Sequence, residues 1–324
     1  MRFHEKDPGG LQRISRAIKE QAVRLGFVAC GITPVRLLEE DAAFMKHWLA
    51  EGRHGSMSYL ERYAEERENP GLLLENARSI IVVLFPYQGN RKQPLGAPKI
   101  AKYAYGSDYH YVIKQKLQQL LEFIHHEITP VNGRAFCDTA PVFERRWAQQ
   151  AGLGWIGTNK CLIHPEFGSF AMIGGLISDL EVAYDQPMEG GCGNCGLCVA
   201  KCPTHALSIP GRFDATQCIS YLTIESKEEI PEVWKGKLQG YVAGCDICQD
   251  VCPWNHKKLI SQSSIDAEQD VLWQMTREEW RLMNGSWYKR MVRKSALNRI
   301  PYKKMRQNLL AIDPLFFGEH PEEE

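Results

Sequence analysis

Apolar residues recur at helical intervals near the start of the chain. Leu11, Ile14, Ile18, Ala22 and Leu25 share one face of residues 11–27, and Gly26 stands at the end. That spacing predicts an amphipathic helix. "SIIVVLFPY" (79–87) is apolar without alternation and rich in β-branched residues, which predicts a strand buried on both faces. A Gly/Pro/Lys/Arg loop, 88–99, leads to residues 107–128, where Val112, Ile113, Leu117, Leu120, Leu121 and Ile124 line a second helical face. "RAFCDT" (134–139) predicts a strand ending at Asp138, and Pro141 suits the first position of a helix over 141–152. "SFAMIGGLISDLEV" (169–182) predicts a further strand or strand pair. Strands thus alternate with helices through about residue 185, the pattern of an α/β core. Residues 186–256 lose long apolar runs and gain glycine and cysteine, as a metal-nucleated module does. Residues 257–324 read as a helical, basic segment with an acidic tail, "GEHPEEE". Three segments follow: a core at 1–185, a cysteine-rich module at 186–256 and a C-terminal segment at 257–324.

Composition narrows the function classes. The 324 residues carry 39 basic and 39 acidic side chains, so a globally basic nucleic-acid binder is disfavoured while a local basic patch remains open. Neither a stretch of membrane-spanning length nor a secretory leader is visible, so a cytoplasmic protein is expected, with its thiols reduced. Eleven cysteines then need a role other than disulfides.

Cys192, Cys195, Cys198 and Cys202 form C-x2-C-x2-C-x3-C-P. Cys218 follows, and then Cys245, Cys248 and Cys252 form C-x2-C-x3-C-P. Zinc is the alternative reading, but zinc usually takes two C-x2-4-C pairs from separate knuckles. Three thiolates at x2, x2 spacing suit three irons of one cube, and in two-cluster ferredoxins the cysteine before proline ligates the other cluster. The expected assignment is therefore crossed. Cys192, Cys195, Cys198 and Cys252 hold one [4Fe–4S] cluster; Cys202, Cys218, Cys245 and Cys248 hold the other. The second run is one cysteine short, and Cys218 stands in from upstream. Cys30, Cys137 and Cys161 remain, and they read as buried small apolar residues.

A relay of electrons needs a destination. No G-x-G-x-x-G follows a predicted strand, and "GLGWIG" (152–157) follows a helix instead; no P-loop is present. The informative stretch is "CDTAPVFERRWAQQAGLGWIGTNKCLI" (137–163), with Asp138 at a strand end. The simpler reading of Asp138 is a cap for the helix predicted from Pro141.

Together with "CGNCGLCVAKCPTHAL", "RFDATQCISYLT" and "GCDICQDVCPWN", that stretch resembles epoxyqueuosine reductase over roughly residues 10–300. The resemblance implies an α/β (α+β) cobalamin-binding core related to reductive dehalogenases, an inserted ferredoxin-like module with two [4Fe–4S] clusters, and a helical C-terminus. It implies reduction of epoxyqueuosine to queuosine at the wobble position of tRNA, with electrons passing from the clusters to base-off cobalamin. The absence of D-x-H-x-x-G agrees with a corrinoid that takes no histidine from the protein. Implied partners are tRNA carrying epoxyqueuosine and a small electron donor such as flavodoxin or ferredoxin, with the enzyme a monomer and no membrane involved. Carried over position by position, Asp138 is the proton donor and a corrinoid contact. Arg67, Ala101, Phe143, Leu162, Ile173, Ser220 and Asp246 are the other corrinoid contacts.

Each position has a plainer reading. Leu162 and Ile173 suit a core, Arg67 a surface charge, and Ser220 and Asp246 turns beside cluster ligands. Thr158 stands where the family commonly has lysine, which leaves open a substrate or phosphate contact there. The chain also resembles the short form that lacks a helical-repeat extension. Residues 287–308 carry eight Lys/Arg and no acid, a candidate tRNA patch or a solvated face. Trp287, Tyr288 and Tyr302 there suit base stacking or core packing equally, and His110 and His164 are plausible pocket residues. A donor role for Asp138 requires burial to lift its pKa above the ordinary value of about 3.9. Two other readings stay open: a dehalogenase-like cobalamin reductase of a small molecule, and a non-enzymatic iron–sulfur carrier.

Overall fold

A computed structural model describes residues 9–87, 92–209, 212–256 and 272–318. Its central sheet contains β1 (Ala29–Pro34), β2 (Ser79–Pro86), β3 (Gly133–Phe136) and β4 (Ala171–Ser178). The spatial order is β1–β2–β4–β3, and every pairing is antiparallel. Helices therefore pack on an antiparallel sheet, the α+β form of the expected core. Strand direction is set by long-range pairing that local periodicity does not encode.

The apolar run at 79–86 is explained by its place in the sheet. All eight residues of β2 are buried. Ile81, Val83 and Phe85 face one hydrophobic cluster, while Ile80, Val82 and Leu84 face a second. The first cluster is covered by α1 (Gly10–Arg24) and α2 (Tyr109–Phe123), through Ile14, Ile18, Ile113 and Leu117 among others. The second is covered by α3 (Glu144–Gln150), through Trp147 and Ala148. A β-carbon at Gly174 of β4 would stand 2.7 Å from Ile113 Cγ2, so glycine there lets α2 close onto the sheet.

Several boundaries differ from the sequence reading. The helix expected over 107–128 ends as α-helix at Phe123 and continues as a wider turn over Ile124–Ile128. Strand β3 ends at Phe136, two residues before Asp138, and α3 begins at Glu144 rather than Pro141. Tight turns occupy the gap: Val142 N–H donates to Ala140 O and Glu144 N–H to Val142 O. Part of the 88–99 loop, the start of the C-terminal segment and the acidic tail lie outside the described residues.

The cysteine-rich region is sewn into the core. Lys99–Ile100 pairs in parallel with Tyr241–Ala243. From α4 (Tyr302–Ile312), the Asn308 amide donates to Thr223 O and Val242 O at 2.7 and 2.8 Å. One hydrophobic cluster joins α1, α2, Val242, Ala243 and residues 272–316.

Candidate functional site

Cys192, Cys195 and Cys198 line one pocket together with Cys252 from the second run. The short helices Leu197–Lys201 and Ile247–Asp250, one from each run, pack against each other and bring this about. Thr158 N–H points at Cys192 Sγ, 3.4 Å away. Asn159 lines the same cavity; its Oδ1 accepts from Cys161 N–H at 3.2 Å, and its buried Nδ2 has no acceptor among the protein atoms. Four thiols and spare N–H donors suit a cube whose sulfurs accept hydrogen bonds. Among the described residues, no three His, Cys, Asp or Glu side chains form a group that could hold a single metal ion.

The second set shares one electrostatic neighbourhood. Burial raises the thiols of Cys218, Cys245 and Cys248. Cys202 pushes both Cys218 and Cys245 further up, and Cys245 and Cys218 do the same to Cys248. Backbone N–H groups of Ser220 and Tyr221 are directed at Cys218. Of the leftover cysteines, Cys137 is fully buried, as expected; Cys30 and Cys161 are only partly so. Burial raises the Cys161 thiol, and the charges of Cys252 and Cys218 reach it and add to that rise.

Asp138 occupies an unusual turn. Its φ is +61°, and Thr139 N–H donates to Cys137 O at 2.7 Å across it, which makes a γ-turn. Asp138 does not cap α3. The support runs the other way: Glu144, the first residue of α3, accepts the Asp138 N–H on Oε1. The Asp138 Oδ2 atom accepts from Tyr109 Oη at 2.9 Å and meets His110 Nε2 at 3.0 Å. The other ring nitrogen of His110, Nδ1, meets Asp108 Oδ1 at 2.6 Å. Acceptors thus face both ring nitrogens, and both contacts are hydrogen bonds only in the imidazolium.

The electrostatics agree. Burial opposes a charge on His110, but the hydrogen bonds to Asp108 and Asp138 outweigh it and lift its pKa to about 9. Burial would raise Asp138, yet hydrogen bonds from His110 and Tyr109 prevail and hold it below the ordinary carboxylate value. This departs from the expectation that Asp138 would be a raised, neutral acid. Nearby Glu144 takes that part: burial, then the Asp138 charge, pushes it up to about 8.

The positions carried over from the resemblance converge in part. Asp246 is 2% exposed, and its Oδ2 accepts from Lys102 N–H at 2.8 Å, next to Ala101. Burial raises Asp246 to about 7, partly offset by Lys102. Ala101 is buried, and its N–H donates to Ala243 O at 2.8 Å. Tyr103 spans the space between: Arg299, Asp138, Glu225 and Asp246 all act on its phenol. Arg67 is not a loose surface charge; its guanidinium donates to the carbonyls of Tyr59, Leu60 and Arg62. Leu162 is buried, and Phe143 and Ile173 pack partly buried against the same cluster. His164, the other histidine singled out, instead accepts from Glu166 N–H and Phe167 N–H on Nδ1.

Sequence reasoning missed Tyr109, Glu144, Glu225 and Arg299. Arg299 pairs with Glu225 at 2.5 Å and faces Asp138 from the C-terminal segment. Only the adjacency of Asp108, Tyr109 and His110 at a helix start hinted at part of this set. In the basic segment, Lys289, Arg290, Arg293, Lys294, Arg299 and Lys303 are exposed. Lys294 O accepts from Asp108 N–H at 2.7 Å, so this segment abuts the Asp138 site. Tyr288 is buried with Oη on Ile300 O, and Tyr302 Oη donates to Met283 O, so those two rings serve packing.

A family model described as "Epoxyqueuosine reductase QueG, DUF1730" matches residues 67–139, and one described as "4Fe-4S double cluster binding domain" matches 191–255. The chain is 43% identical over 299 residues to an epoxyqueuosine reductase of Cellulophaga algicola, covering 92% of this chain and 97% of that protein. The chain belongs to the epoxyqueuosine reductase family. The family's solved structures agree with this fold. That of Streptococcus thermophilus superposes with a TM-score of 0.82 at 28% identity, covering 93% of this chain and 81% of that one. An epoxyqueuosine reductase solved with an epoxyqueuosine-modified tRNA-Tyr stem loop gives 0.80 at 27% identity, over 93% and 81%. A Bacillus subtilis structure, with its aspartate-bearing catalytic loop swung out of the active site, gives 0.81 at 26% identity, over 93% and 82%. A catabolic reductive dehalogenase shares the fold alone, at 0.52 and 18% identity over 79% and 33%. Membership makes the chain an oxidoreductase, and the matched double-cluster domain gives it two [4Fe–4S] clusters. Among the described residues no helix is long and apolar enough to cross a membrane.

Proposed function

We propose that this chain reduces epoxyqueuosine to queuosine in tRNA and that the Asp138–His110 pair supplies the proton. The observation that carries the reading is the match to a relative solved on a modified tRNA stem loop, across 93% of this chain. The reaction removes the epoxide oxygen as water and leaves a carbon–carbon double bond, which takes two electrons and two protons. When bound, the clusters deliver single electrons and the corrinoid provides low-valent cobalt as the reductant. Arg67, Ala101, Phe143, Leu162, Ile173, Ser220 and Asp246 are the residues that would hold the corrinoid.

The protein's own task is to orient the epoxide and protonate the departing oxygen. Asp138 is half-exposed toward the site and is held as a carboxylate at neutral pH. His110 stores the proton, and Asp138 passes it on as negative charge develops on the substrate oxygen. The exposed cations from Lys289 to Lys303 sit beside this opening and would neutralise phosphates of the anticodon arm. A small electron-donor protein completes the cycle, and the enzyme acts as a monomer. The test is nucleoside analysis of epoxyqueuosine-bearing tRNA after reaction with reconstituted protein, cobalamin and reductant without oxygen. Queuosine is the expected product; unchanged epoxyqueuosine would refute the reading. Asp138→Asn should keep its iron and bind the corrinoid but lose about 10²–10⁴-fold in turnover.

A further inference from the structure

The Asp138 turn has an uncommon shape, and Glu144 bonds to its backbone. A non-glycine residue at φ +61° in a γ-turn is strained, and such a conformation persists only where its surroundings over-determine it. Tyr109 and His110 grip the Asp138 carboxylate. Lys114 Nζ donates to Thr139 Oγ1 at 3.0 Å. On the backbone, besides the bond across the turn itself, one acceptor holds the Asp138 N–H, and it is Glu144 Oε1.

We infer that Glu144 is a positioning residue, a latch that holds the Asp138 turn in its working shape by accepting the Asp138 N–H. This rests on the reading of Asp138 as the group that delivers the proton. The latch is built from the first residue of α3, whose next turn carries Trp147, fully buried against the sheet. Rigid helix packing therefore fixes Glu144 Oε1, and Oε1 fixes the turn. Tyr109 and His110 can hold the carboxylate only while the backbone presents it to them. With the acceptor removed, the turn relaxes toward ordinary φ values and the carboxylate leaves the site. Glu144 is partly buried beside the Asp138 carboxylate, and the protonated form favoured there still offers a carbonyl oxygen to the N–H.

Two variants separate latch from bulk structure. Glu144→Gln keeps an acceptor of the same shape, whereas Glu144→Leu keeps the volume and removes the acceptor. Hydrogen exchange across residues 137–143 needs no substrate and reads the latch directly. We expect exchange of the Asp138 amide to speed up about tenfold or more in Glu144→Leu and to stay near wild type in Glu144→Gln. In turnover of modified tRNA, Glu144→Leu should lose about ten- to a hundredfold in kcat with KM little changed, and Glu144→Gln should restore it. Iron content, corrinoid binding and thermal midpoint are measured alongside to confirm folding. Unchanged exchange in a folded Glu144→Leu protein overturns the latch, and so does a Glu144→Gln protein as impaired as Glu144→Leu. If wild type fails to convert epoxyqueuosine, the functional reading falls while the exchange result still judges the latch.

Discussion

Replacing His110 by glutamine tests where the proton rests. The ring sits between Asp108 Oδ1 at 2.6 Å and Asp138 Oδ2 at 3.0 Å, and its pKa rises from 6.5 to about 9. That rise corresponds to about 3 kcal/mol in favour of imidazolium. The ring is half-buried, so screening by solvent reduces this to about 1–2 kcal/mol of net stabilisation. The stabilisation is complete below pH 6.5 and is lost as pH rises through about 9. Asp138, held low, limits the pair on the acid side, where stability falls as pH drops through its depressed pKa. At pH 7 His110 therefore carries the proton. Wild-type single-turnover rates, measured on pre-reduced enzyme with epoxyqueuosine-bearing tRNA, should therefore be flat through neutrality. They should fall about tenfold per pH unit above 9. His110→Gln should lose about 10²–10⁴-fold at pH 7 and abolish that alkaline limb. The residual rate should instead rise as pH is lowered, because Asp138 must then carry the proton itself. A glutamine variant with the wild-type rate and the same alkaline limb would show that His110 holds no proton for the reaction.

Two further predictions concern the cofactor and the RNA. Cys252→Ser lies in the second cysteine run but should remove the first cluster, leaving about four irons per chain and one cluster signal in the reduced spectrum. Loss of the second cluster's signal instead would refute the crossed assignment. Reversing Arg293 and Lys294 to glutamate should weaken tRNA binding and lower the slope of log K against log salt by about 2. An unchanged slope would remove these two cations from the interface.

The parts of this molecule legible in sequence are those in which near neighbours set the outcome. The faces of α1 and α2 follow from spacings of three and four, and β2 from its unbroken apolar run. Ferredoxin spacing is itself a geometric constraint, and Cys252 lines one pocket with Cys192, Cys195 and Cys198. Strand order was not legible, since the antiparallel pairing of β2 with β4 joins residues about 90 positions apart. Nor were the groups around Asp138. Tyr109, Glu144 and Arg299 come from three stretches of chain, and their roles exist only where those stretches meet. The predicted helix start at Pro141 failed for a related reason. Proline fixes its own φ, but two successive tight turns occupy residues 140–144, and the helix begins only after them.

The bonds from Asn308 to Thr223 and Val242, and the pairing of Ile100 with Ala243, bear on how such a protein can be taken apart. A fragment cut at residues 191 and 255 would look like a self-contained ferredoxin on paper. It would leave behind the strand that Tyr241–Ala243 leans on and the amide that ties two of its loops together. The cysteine-rich stretch is thus no detachable cassette but a graft whose rootstock lies on both sides of it.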